Sequence, residues 1–228
     1  MSVAGQGDAP AVPIKDIPQE WDVVAAKERF QARVIGVRTE TVCMPEGVTA
    51  DRDYVVHPGS VAVVALDDRQ RVLLLRQYRH PVRHLLWELP AGLRDVAGES
   101  LVLGAARELA EEAGVRATTW HTLLDVFTSP GMANERIRIF LARGLTEIPE
   151  DERDFVHRHE EIGMPVEWVP LADAVRLALE GKIHNSPAVA GILAAYAASV
   201  DGFTSLRSAD APDVNGANGA YEADAPEA

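Results

Sequence analysis

A mixed α/β domain is the fold class this sequence predicts, and three observations carry that prediction. Short β-branched or alternating runs come first, one strongly helical pattern interrupts them, and after further strands two helical patterns close the chain. That order does not repeat strand-helix-strand units, so an alternating array around a wholly parallel sheet is not expected. With 228 residues, 47% of them hydrophobic and 25% charged, the chain has material for a sizeable core and the composition of an ordinary globular protein.

Residues 1–13 are small, polar and rich in Pro and Gly, which predicts a disordered leading tail. Residues 14–58 form a strand-rich region too short to bury itself, with alternation from Phe30 to Cys43 predicting a strand. The main domain is expected over 59–205. In it Ser60–Leu66, Val72–Leu75 and Ile137–Leu141 are aliphatic runs of strand length, and Asp67-Asp68-Arg69-Gln70 supplies turn residues between the first two. Leu101–Ala113 has helical spacing, a cap at Ser100 and a stop at Gly114. A second helix over Leu171–Glu180 is stopped by Gly181. A third, running to about Val200, has Ser186 as cap and Pro187 in its first turn. Residues 206–228 offer almost nothing to bury and predict a disordered acidic tail.

The formal net charge of −13 repels nucleic-acid backbones and anionic membrane surfaces, so neither partner is expected. Cys43 is the only cysteine, which rules out an intramolecular disulfide and a cysteine-based zinc site and suits a reducing compartment, most simply the cytoplasm. The N-terminal residues lack a basic start followed by an apolar run, and no stretch of about 18 apolar residues occurs.

The chemistry concentrates in Leu89–Val115, where a glycine-containing loop leads into an acid-rich helix. Setting Glu108 at zero and advancing ~100° per residue, Glu112 falls near ~40° and Glu111 near ~−60°, so three acids share a face. Val102, Ala106, Leu109, Ala110 and Ala113 cover roughly 100° to 200° on the same count and form a stripe suited to a core. Gly104 and Ala105 place no bulk beside the acids, which predicts an open approach for a phosphate. Like charges at this spacing weaken an isolated helix. Arg107 is the only cation inside it, so a bound divalent ion would remove the conflict. Carboxylate oxygens suit hard cations, magnesium or manganese foremost.

Glu99, seven residues, and then Arg107-Glu108-Leu109-Ala110-Glu111-Glu112-Ala113-Gly114-Val115 match the second half of the box G-x5-E-x7-R-E-U-x-E-E-x-G-U, U being a bulky aliphatic residue. The chain thus resembles the Nudix hydrolases. It departs from the box in one place: six residues rather than five separate Gly92 from Glu99. The resemblance implies an α/β/α sandwich with a mixed sheet, preceded by a small N-terminal sheet. It implies Mg²⁺ or Mn²⁺ held by Glu108 and Glu112, with Glu111 nearby, Glu99 as ligand or support, and the Ala91 carbonyl as a further donor. Arg107 would hold a box glutamate in place.

Two segments outside the box resemble the ADP-sugar pyrophosphatase branch of that family. Upstream stand Arg76-Gln77-Tyr78-Arg79 and Trp87-Glu88-Leu89-Pro90-Ala91-Gly92; downstream stands Ser129-Pro130-Gly131 with Glu135 four residues on. The resemblance implies hydrolysis of ADP-ribose to AMP and ribose 5-phosphate, with Arg79, Gly131 and Glu135 on the substrate side. It implies a loop glutamate as base for the attacking water, here Glu160 or Glu161. It also implies a homodimer formed through the N-terminal region, letting Trp21, Phe30 or Arg38 help enclose the substrate's base. Alternatives are hydrolysis of another nucleoside diphosphate sugar, NADH or a dinucleoside polyphosphate, or a non-catalytic sensor of nucleotide sugars. His157 and His159 lack a third partner for a zinc site.

Overall fold

A computed structural model describes residues 13–153 and 163–213; Glu160, Glu161, His157 and His159, and the expected tails except residues 13 and 206–213, lie outside the described residues. The chain begins with an antiparallel sheet of β1 (Val23–Gln31), β2 (Gly36–Cys43) and β3 (Thr49–Val56), in that order. The one strand expected over Phe30–Cys43 is instead the end of β1 and all of β2. Alternation records which face a side chain takes, not chain direction, and here the chain reverses at Ala32–Ile35 so that Gln31 pairs with Gly36.

Eight further strands and three helices follow among the described residues. They are β4 (Ser60–Ala65), β5 (Arg71–Arg79), β6 (His84–Glu88), β7 (Ala91–Leu93), α1 (Leu101–Ala113), β8 (Val115–Phe127), β9 (Arg136–Glu147), β10 (Val166–Pro170), α2 (Leu171–Leu179), α3 (Ser186–Ser199) and β11 (Arg207–Ser208). One mixed sheet runs β11-β8-β9-β4-β7, with β4 parallel to β9 and its other pairs antiparallel; a second, antiparallel, runs β10-β5-β6. The turn expected at 67–70 joins β4 to β5, with the Asp67 carboxylate accepting from the Arg69 and Arg71 amides.

Every residue of β4 is buried, which fits a continuous apolar run covered on both faces. Val61, Val63 and Ala65 point with Leu73, Phe140 and Ala142 toward Ala105 and Leu109 of α1. Ala62, Val64 and Leu66 point with Leu74, Ile139 and Leu141 toward Leu171, Ala174 and Ile192 of α2 and α3. The result is the expected α/β/α sandwich.

Three local expectations change. α3 is capped by Asn185, not Ser186: its Oδ1 accepts from the Ala188 amide at 3.0 Å, and Ser186 is already helical. On α1, Ala105 and Leu109 are buried, whereas Ala106 and Ala110 are only half-buried. Gly104 and Ala105 therefore do not open a path for phosphate; they let the helix lie close on β4, with Val61 beside Gly104. Residues 206–213 of the expected tail are ordered: β11 pairs with β8, and Asp213 is buried. Polar contacts to arginines hold this segment, which a reading by hydrophobicity does not register. No helix among the described residues is long and apolar enough to cross a membrane.

Candidate active site

Helix α1 is fixed at both ends by local chemistry. The Ser100 side chain accepts from the Leu103 amide, and Gly114 at φ 62° closes the last turn with its N–H on the Ala110 carbonyl. The acids it carries face β7. The Ala91 amide donates to Glu112 Oε2 at 2.8 Å. Glu108 lies so close over Gly92 that a Cβ there would collide with its carboxylate. Glycine at 92 is thus required by the approach of a carboxylate.

Arg107 sits among the remaining acids. Its guanidinium donates to Glu99 at 3.2 and 3.3 Å, to Glu108 at 2.6 Å and to Glu111 at 3.2 Å. Those bonds, to Glu99 first, keep it even more firmly protonated than usual. Burial pushes the Glu108 carboxyl above its ordinary value despite Arg107, and the neighbouring Glu111 and Asp95 add to the rise.

This donor set fits a hard divalent cation. Glu99, Glu108, Glu111 and Glu112 could supply oxygen ligands, and Glu108 is a desolvated carboxylate that an added cation would favour. Among the described residues, however, no three acidic, His or Cys side chains form a ready-made metal cluster. Arg107 already pairs with Glu99, Glu108 and Glu111, so an arriving ion competes with it for the same oxygens.

Arg79, at the end of β5, donates in a forked arrangement to Glu88, with Nε 3.0 Å from Oε1 and Nη2 2.7 Å from Oε2. Glu88 is 2% exposed, whereas the Arg79 side chain is 44% exposed, so a buried carboxylate aims a partly exposed guanidinium. The sequence reading assigned Glu88 no role. Its signal is a charged residue at the buried phase of an apolar strand, His-Leu-Leu-Trp-Glu.

A cavity of about 470 Å³ opens between the end of β3 and the segment joining β8 to β9. Tyr54, His57, Phe127, Gly131, Met132 and Arg136 are among its lining residues. Backbone bonds pin the two walls together: Val55 donates to Met132, Asn134 donates to Val55, and the His57 amide donates to Asn134 Oδ1. Gly131 has no positive φ, and a Cβ there would meet nothing within 4 Å. Glu135 anchors the same segment, accepting from Thr128 Oγ1 at 2.6 Å with His57 Nδ1 3.7 Å away. The Gly59 amide donates to His57 Nδ1, so that nitrogen is an acceptor.

The structure therefore gathers Glu99, Glu108, Glu111 and Glu112 on the α1–β7 side, and Gly131 and Glu135 on the cavity side. None of the four α1-side acids lines the cavity, but Arg94, next after β7, packs with Arg136 of the cavity wall against Gly59. Trp21 and Arg38 lie on or beside the N-terminal sheet and do not line the cavity. Trp21 is exposed, and Arg38 pairs with Glu28 and Glu40.

Comparison with known proteins identifies the family and the fold. The model of the NUDIX domain matches residues 56–190. The ADP-ribose pyrophosphatase of Mycobacterium tuberculosis is 42% identical over 84% of this chain and 90% of its own. The ADP-ribose pyrophosphatase of Bacillus subtilis is 33% identical over 73% and 88%. Among solved structures, one described as a crystal structure of ADP compounds hydrolase has TM-score 0.68 at 20% identity, covering 82% of this chain and 99% of its own, which shows a shared fold.

Proposed function

The chain belongs to the NUDIX domain family, and from that premise we propose that it is a pyrophosphohydrolase that hydrolyses the diphosphate of ADP-ribose, releasing AMP and ribose 5-phosphate. The observation that carries this reading is the convergence of Glu108 and Glu112 on β7, one over Gly92 and the other on the Ala91 amide. The relatives named ADP-ribose pyrophosphatase supply the substrate class.

Divalent-metal dependence is general in this family, and we assign the ion, Mg²⁺ or Mn²⁺, to Glu108 and Glu112, with Glu111, Glu99 and the Ala91 carbonyl as supporting donors. Bound there it supplies positive charge to neutralise the diphosphate oxygens. The chain's own groups do the rest. Arg79, aimed by Glu88, pairs with phosphate oxygens. Glu160 or Glu161 takes a proton from the water whose oxygen attacks phosphorus as the bridging P–O bond breaks. Arg107 keeps Glu99, Glu108 and Glu111 on one side of the helix. Gly131 belongs to the cavity wall that receives the nucleotide sugar, and Glu135 anchors the segment carrying that wall through Thr128.

We further propose a cytoplasmic homodimer. All nine residues of β1 are exposed, Val23, Val24 and Phe30 among them, and Trp21 just before it is exposed too. An apolar edge strand of that length calls for a covering partner. In the dimer Trp21 and Arg38 would reach the partner's substrate. A panel of diphosphates ranked by kcat/KM tests the function: ADP-ribose at the head supports it, and no AMP from ADP-ribose refutes it. Single Glu160→Gln and Glu161→Gln variants identify the base.

A further inference from the structure

Beside the cavity two arginines meet a carboxylate in a cluster that the mechanism above does not use. Arg136 opens β9, lines the cavity and has a side chain 10% exposed. Arg94 directly follows β7, the strand on which Glu108 and Glu112 converge, and is 12% exposed. Gly59 lets the two pack together: at φ 86°, a Cβ there would come within 3.2 Å of the Arg136 carbonyl and 3.3 Å of Arg94 Cδ.

The carboxylate is Asp213, whose Oδ2 lies 3.1 Å from Arg136 Nη1 and 3.5 Å from Arg94 Nη1, and whose side chain is 4% exposed. It arrives on the C-terminal segment, which is tied down residue by residue. β11 pairs with β8, Thr122 Oγ1 donates to the Ser208 carbonyl at 2.9 Å, and Arg138 donates to the carbonyls of Ala211 at 2.7 Å and Pro212 at 3.0 Å. Arg138 is itself held by Asp125.

Two buried cations side by side repel one another and pay a desolvation cost unless an anion joins them. Burial and Arg136 both lower the proton affinity of Arg94, and Asp213 opposes them. We propose that Asp213 is a positioning residue for substrate binding: by pairing Arg94 and Arg136 it fixes the cavity wall at Arg136 relative to the β7 strand that faces the α1 acids. The C-terminal segment is then a working part of the binding site. This rests on the reading that the cavity receives a nucleoside diphosphate sugar. Removing the carboxylate displaces Arg136 from the wall, whereas Glu108 and Glu112 keep their own contacts with Arg107 and Ala91, so binding falls and the chemical step does not.

The test compares wild type, Asp213→Glu, Asp213→Asn and Thr122→Val in steady-state kinetics, in calorimetric binding of ADP-ribose under EDTA, and in thermal melts. Asp213→Asn is expected to raise KM and Kd about tenfold, equivalent to about 1.4 kcal/mol, with kcat within threefold. Asp213→Glu, with a carboxylate displaced by one methylene, should fall between it and wild type. Thr122→Val removes the bond to Ser208 but leaves Arg138 holding Ala211 and Pro212, so Asp213 keeps its place beside the arginines; Tm should fall while KM stays within twofold. An unchanged KM and Kd in Asp213→Asn overturns the proposal, as does a rise in Thr122→Val equal to that in Asp213→Asn. Should Asp213→Asn not fold, Asp213→Glu decides: a raised KM at normal kcat supports the role and an unchanged KM overturns it. A wild type that neither binds nor hydrolyses ADP-ribose counts against the functional reading instead, and the same four proteins are then compared on the diphosphate it turns over fastest.

Discussion

Replacing Glu112 by glutamine separates the contact this side chain makes with β7 from the metal-holding role proposed for it. Its Oε2 accepts from the Ala91 amide at 2.8 Å, and the amide oxygen of glutamine can accept the same bond. The hinge between α1 and β7 then survives, and stability should change by no more than about 1 kcal/mol. What disappears is one negative charge from a set of four, and with it the proposed hold on a divalent ion. Charge stabilisation by such an ion is worth several kcal/mol at the transition state. Taking about 4 kcal/mol, at about 1.36 kcal/mol per factor of ten, kcat should drop roughly 10³-fold. The assay is AMP release at saturating ADP-ribose and millimolar Mg²⁺, with a thermal melt on the same sample. Turnover within threefold of wild type at an unchanged Tm would refute the assignment of Glu112 to the metal.

Gly92→Ala should leave the protein folded, since the colliding group is the end of a flexible side chain, but it pushes the Glu108 carboxylate off β7. A loss of at least about tenfold in kcat is expected on the scale at which misplaced catalytic groups act. Wild-type kcat would show that this approach is not used. Asp125, away from the α1 acids, offers a stability test. Burial alone would raise its pKa, but Arg138 and Arg207 outweigh it and hold the carboxyl below its ordinary value of 3.8. Its contribution is therefore present above that value and is lost as pH falls through the lower, folded one. Asp125→Asn leaves the buried Arg138 without its counter-charge, at a cost of about 3 kcal/mol near neutral pH. In a chain of this size that corresponds to a Tm roughly 6–12 °C lower, with the gap to wild type narrowing below about pH 4. A gap that stays constant down to pH 3 would contradict the sign.

The sequence made the acidic helix legible because its signals are local. Ser100, Gly114 and the spacing of Glu108, Glu111 and Glu112 each act within a turn or two, and the structure has them as read. The strand expected over Ser60–Leu66, observed as Ser60–Ala65, was equally plain, since burial on both faces leaves an apolar run after Ser60. Illegible were contacts between segments far apart in the chain. Gln31 and Gly36 form a hairpin that alternation cannot distinguish from a continuous strand. Ala105 packs more deeply than Ala106 because the helix approaches β4 over its smallest residues, a choice made by the sheet. Asp213 looks like one more acid in a polar tail until Arg94 and Arg136, which lie 119 and 77 positions upstream, are folded against it. Glu88 is the intermediate case: a charge in an apolar strand was visible, but its partner Arg79 across the β5–β6 pair was not.

The metal-holding role of α1 meets its most direct test in AMP release from ADP-ribose by enzyme stripped with EDTA and then titrated with Mg²⁺. No turnover in EDTA, with full and saturable recovery at millimolar Mg²⁺, is the expected result. Undiminished turnover in EDTA would contradict it.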